Sequence, residues 1–118
     1  MTVLQGTVSI GTESPPNDIL ASGSLTNLGK EVETTIASYE NTGSKKIRIS
    51  QVIASGTGYA KYSLVFNTVT VATLRSGPSR NVEFFPNIDL ENGDILDVKV
   101  EHYTDGDTMN FETTIFGY

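Results

Sequence analysis

The sequence predicts an all-β domain: an antiparallel β-sandwich with jelly-roll-like connections and about eight strands. Three observations carry this expectation. Apolar residues alternate with polar ones in short segments, no segment keeps the period of an amphipathic helix, and turn residues separate one segment from the next. At 118 residues the chain fits one domain with a single core. Its apolar residues lean to valine and isoleucine, and threonine, serine and glycine are plentiful, a mix that suits strands and turns.

Residues 3–10 read as a first strand, ended by GTESPPND, where Pro15 and Pro16 cannot donate to a sheet ladder. Residues 1–20 are therefore assigned as an N-terminal strand or arm, and residues 21–118 as one β-sandwich domain. A weaker strand at 20–28 is broken by Gly23 and followed by Gly29. Over 32–39 the alternation puts Val32, Thr34, Ile36 and Ser38 on one face and Glu33, Thr35 and Ala37 on the other. ENTGSK follows as a turn in which Asn41 and Gly43 tolerate positive φ. The next strand, 46–54, spaces Ile47, Ile49 and Ile53 evenly and runs into the glycine-rich SGTG.

YAKYSLVFNTVTVATLRS reads as a hairpin turning at Asn67-Thr68, with Tyr62, Leu64 and Phe66 entering the core; one continuous strand with a bulge is the alternative. Val82, Phe84 and Phe85 form a short strand stopped by Pro86. Asn92-Gly93 is a strong turn signal, flanked by Glu91 and Asp94 pointing to water. Beyond it Leu96, Val98, Val100 and His102 share one parity, with Asp97, Lys99 and Glu101 on the wet one. The closing strand sets Met109, Phe111, Thr113 and Ile115 against Glu112, Thr114 and Phe116.

Charge and composition exclude several functions. With 14 acidic and 8 basic side chains the net charge is −6, so nothing is gained by releasing counterions from a phosphate backbone, and no nucleic-acid partner is expected. Lys45, Lys46 and Arg48 are the densest basic group and suit a charged sheet edge. The absence of cysteine removes thiolate metal sites and cysteine nucleophiles. No apolar run has spanning length and no secretory leader stands at the N-terminus, so neither a membrane partner nor export is expected, and synthesis in the cytoplasm is.

Candidate chemistry is thin. Asp105, Asp107 and Asn110 are the one weak calcium candidate, since hard oxygens on a loop suit that ion, but the chain lacks the further ligands of an EF-hand. His102 is the only histidine and has no metal-binding companion, so it reads as a core residue with a satisfied hydrogen bond. No serine sits in a nucleophile elbow, and SGTG has neither the lysine nor the helix of a phosphate loop. Neither an enzyme nor a cofactor is expected. Tyr39, Tyr59, Tyr103, Phe116 and Tyr118 read as peripheral, with Tyr62, Leu64, Phe66, Phe84 and Phe111 in the core.

Three phrases together resemble a known group. KIRISQVIASGTGYAKYSLVFNTVTVATLR, IDLENGDILDVKVEHY and FETTIFGY are similar to segments of small jelly-roll structural proteins in tailed-bacteriophage virions. The resemblance spans about residues 45–118. It implies a virion protein of the capsid decoration, or cement, type: a homotrimer on the capsid surface, with the major capsid protein as partner. A neck or tail component remains open under the same resemblance. For such a protein Val3, Leu4, Val8 and Ile10 are the expected interface anchors, because an extended arm can add a strand to a neighbouring sheet. The alternative is a carbohydrate-binding or host-adhesion module on the same scaffold, with Tyr59, Tyr103 and Tyr118 as its platform.

Overall fold

The computed structural model describes residues 18–105 and 109–118. Nine strands run through them, with no helix. They are β1 (Asp18–Leu28), β2 (Thr34–Glu40), β3 (Ile47–Gly56), β4 (Ala60–Phe66), β5 (Val69–Ser76), β6 (Val82–Phe84), β7 (Ile88–Leu90), β8 (Ile95–His102) and β9 (Met109–Gly117). Two antiparallel sheets pack face to face. One has the order β1-β9-β3-β6, with β7 also on β3, and the other has the order β2-β8-β4-β5. Consecutive strands change sheet except in the β4–β5 hairpin and between β6 and β7, which share the flank of β3, so the order is jelly-roll-like.

The core lies between the sheets. Ile49, Val52 and Ala54 of β3, with Phe111 and Ile115 of β9, meet Tyr62 and Leu64 of β4 and Leu96, Val98 and Val100 of β8. In β8 and β9 the sequence alternation is the structural one: Leu96, Val98, Val100 and His102 point in, as do Phe111, Thr113 and Ile115. The hairpin is real as well. Asn67 and Thr68 have φ of 47° and 72°, as a two-residue type I′ turn requires, and Phe66 pairs with Val69 across it. The continuous strand is thereby replaced.

Four expectations need correction. Glycine does not break the strand expected at 20–28, because β1 runs unbroken through Gly23 from Asp18. In β2 a bulge at Ile36 turns both Ile36 and Ala37 inward and leaves Ser38 outside, reversing the expected parity; Val32 precedes the strand. In β3 a bulge at Ser50 moves the buried set from Ile49 to Val52 and Ala54, so Ile53 faces out. Phe85 leaves β6 and is exposed. The predicted strand at 3–10 lies outside the described residues.

The two flanks of the sandwich differ. At one, β1 and β2 come so close that a Cβ on Gly23 would collide with the Ile36 carbonyl oxygen and stand 3.1 Å from Ala37 Cβ. Glycine closes that flank by omission. At the other, β5 lies over the three-residue β6, which is too short to cover it.

Candidate functional site

Two residues of the weak calcium candidate are described, and both have partners within the chain. Asp105 Oδ1 accepts a hydrogen bond from Lys30 Nζ at 2.7 Å, and that ammonium holds the carboxyl below its usual range. Asn110 Oδ1 accepts from the Asn27 backbone N–H at 3.2 Å. Asp107 lies outside the described residues. Among the described residues no three His, Cys, Asp or Glu side chains converge.

The acidic face of β8 is paired across strands. Ser38 Oγ donates to Asp97 at 2.6 Å, and Lys61 Nζ stands 3.5 Å from Glu101. Two of the basic group, Lys46 and Arg48, are likewise engaged. Arg48 binds Asp89 through two nitrogens, at 2.8 and 3.2 Å, and Lys46 Nζ approaches the same carboxylate at 3.7 Å. The Arg48 guanidinium is the main cause that lowers the Asp89 carboxyl from its usual range.

Asp94 does not simply point to water. Its Oδ1 accepts from Asn67 Nδ2 at 2.9 Å and its Oδ2 from the Glu91 N–H at 2.8 Å, while the Ile95 N–H donates to Asn67 Oδ1 at 2.8 Å. The β4–β5 turn is thus tied to the β7–β8 turn, and these bonds lower the Asp94 carboxyl from its usual range, the one from Asn67 most. In that second turn only Gly93 has positive φ, 90°, and the Asp94 N–H bonds back to Glu91 O at 3.0 Å. Asn41 does not supply positive φ either. It is buried, and its Nδ2 donates to Leu90 O and Lys45 O, both at 2.8 Å, while Oδ1 accepts from Gly43 N–H at 3.0 Å. It pins a loop, a role that a turn-residue reading does not reveal.

His102 is buried and stacked on Phe111, with ring centroids 5.7 Å apart. Its Nε2 lies 2.6 Å from Leu28 O; a carbonyl only accepts, so Nε2 carries the proton. Nδ1 and the Tyr62 hydroxyl are buried without a hydrogen-bond partner among the described residues. The two rings flank Phe111, Tyr62 edge-on at 6.1 Å. Enclosed between the sheets, this aromatic trio packs the core and is closed to a substrate.

The three tyrosines of the glycan reading do not come together. Tyr59 and Tyr103 adjoin, since the Tyr103 N–H donates to Tyr59 O at 2.8 Å, but Tyr118 bonds Arg48 at the opposite end of β9. A shallow groove of about 410 Å³ crosses the outer face of β1, β9 and β3, lined by Ser24, Thr26, Ser55, Thr57, Asn110 and Glu112 among others. Its hydroxyls and amides are partly spent internally: Thr57 Oγ1 accepts from Asn110 N–H at 2.9 Å.

What stands out instead is the flank at β5. Among the described residues β5 pairs only with β4. Val69 is 60% exposed, Val71 46% and Leu74 41%, and Phe85 beyond β6 is 63% exposed. The expected anchors Val3, Leu4, Val8 and Ile10 lie outside the described residues. Sequence reading passed over β5 because a strand's place at a sheet edge depends on strand order. One signal was present: Val69, Val71, Ala72 and Leu74 put apolar residues on both parities, which marks the bulge at Val71. No protein-family model matches this chain, and no curated protein matches it.

Proposed function

We propose that this protein is a structural subunit of a tailed-phage virion, a capsid decoration or cement protein that oligomerises and binds the major capsid protein on the head surface. The observation that carries an interaction role is the asymmetry of the sandwich. One flank is sealed by Gly23 against Ile36, while the other leaves Val69, Val71, Leu74 and Phe85 in water. Apolar side chains grouped at a sheet edge suit burial against another protein. The virion assignment rests on the three phrases over residues 45–118 that resemble phage jelly-roll proteins.

Its action is mechanical. Each subunit bridges neighbouring capsomers, and contacts that are weak singly become durable when an oligomer engages several at once. The homotrimer belongs to the same proposal. Purified protein should co-sediment with phage heads that lack it, saturate at a fixed number per head, and raise the temperature at which those heads burst. Failure to co-sediment overturns the decoration role, and a monomer mass at micromolar concentration in light scattering overturns the trimer.

A further inference from the structure

We propose that the open edge of β5 receives residues 2–10 of a neighbouring copy as an added strand, so that the chain assembles by strand exchange with itself. This deepens the oligomeric reading above and rests on it. Four observations meet here.

The first is the receptor. On its far side β5 has no ladder partner among the described residues, so a row of backbone N–H and C=O groups is left to solvent beside Val69, Val71 and Leu74. The second is the weak guarding of that edge. β5 contains no proline or lysine, and Arg75 is its only charge; the bulge at Val71 leaves residues 72–76 in regular register.

The third is the occupant. TVLQGTVSI is nine residues long against the eight of β5, and it has no charge and no proline in a chain of net charge −6. Its alternation sets Leu4, Val8 and Ile10 on one parity and Gln5, Thr7 and Ser9 on the other, with Val3 at the outer end of the polar side. A strand so patterned extends an apolar layer on one face and a polar surface on the other. An uncharged, β-prone segment of this kind is an aggregation hazard when unpaired, and pairing it removes the hazard.

The fourth is where the arm leaves the described fold. β1 begins at Asp18, paired with Gly117, on the flank away from β5. Crossing to β5 spans three strand spacings and one sheet separation, about 17 Å in all. An arm docking on its own chain therefore has to wrap across the end of the sandwich, whereas an arm leaving the β1 flank meets a neighbour's β5 without that crossing, and chain-to-chain against within-chain disulfides tell the two apart.

The absence of native cysteine makes the test direct. One set of chains carries Gln5→Cys, Thr7→Cys or Ser9→Cys, a second carries Thr73→Cys on the solvent face of β5, and the two are refolded together and mildly oxidised. At least one pairing should give a disulfide between the two chains about a thousandfold faster than Glu112→Cys does on the opposite sheet, as millimolar effective concentration against micromolar encounter implies. In parallel, Val71→Lys with Leu74→Lys, or deletion of residues 2–10, should reduce the mass in solution to that of a monomer with circular dichroism unchanged. No preferential disulfide, or an oligomer that survives both changes, overturns the strand exchange while leaving head binding as a separate result. Disulfides that form only within one chain overturn it too. Cross-linked oligomers that do not bind heads support strand exchange and remove the decoration role instead.

Discussion

Tyr62 is held for its ring and carries its hydroxyl as a burden. The Oη is buried with no hydrogen-bond partner among the described residues, and burial pushes the phenol up to about 12. A desolvated, unpaired hydroxyl costs free energy that a phenylalanine avoids. Tyr62→Phe should therefore stabilise the fold by about 1 kcal/mol in urea unfolding, and a loss of that size would show that the hydroxyl has a partner. The sign of the pH effect follows from the raised value. The phenol's preference for the folded state is intact below pH 10.0 and its neutral form is progressively lost towards about 12, so the variant should keep its stability further into that alkaline range. Thr68 carries a different cost, a β-branched side chain at φ 72°. Thr68→Gly should raise stability by about 1 kcal/mol, visible as a higher melting temperature. Asn67 beside it is not interchangeable, because its side chain holds both Asp94 and the Ile95 N–H.

At the scale of elements, alternation was legible where strands are regular and illegible where they bulge. In β8 and β9 the extra residues lie on the partner strands and not on their own, so Leu96, Val98, Val100, Phe111 and Ile115 could be placed from parity alone. A single extra residue at Ile36 or Ser50 exchanges the two faces downstream, and parity counting cannot see it. Gly23 was read as a strand breaker because its use depends on a carbonyl in another sheet. Gly23→Ala should cost about 2 kcal/mol by forcing β1 from β2, measured by denaturant midpoint; a neutral result would mean that the flank opens freely. The turn-to-turn tie at Asp94 makes a pH prediction. Its carboxyl is lowered from the usual 3.8, so its stabilising effect is complete above that pH and is lost as pH falls through the lowered value. Asp94→Asn should flatten the acid limb of stability against pH below 3.8, whereas an unchanged slope would assign that limb to other carboxylates.

Over the whole molecule, the described strands close a core without residues 1–17. Deleting residues 2–17 should leave a cooperative melt and an all-β circular dichroism spectrum, while attachment to heads weakens; unfolding by this deletion would make the arm part of the domain, and unaltered attachment would relieve it of any contact role. The stretch from Asn87 to Asp105 illustrates how far sequence reaches. Its acids and lone histidine resemble a site, yet parity alone sent Leu96, Val98, Val100 and His102 inward, and the structure agrees. By itself the sequence determined the class, the hairpin at Asn67-Thr68 and the buried faces of β8 and β9, because these follow from local periodicity and turn chemistry. Only the tertiary structure decided that Gly23 seals one flank, that Asn41 and Asp94 bind loops together, and that β5 stands at the edge of its sheet among the described residues. Each of those depends on which strand lies beside which, and long-range order leaves no mark in a local pattern.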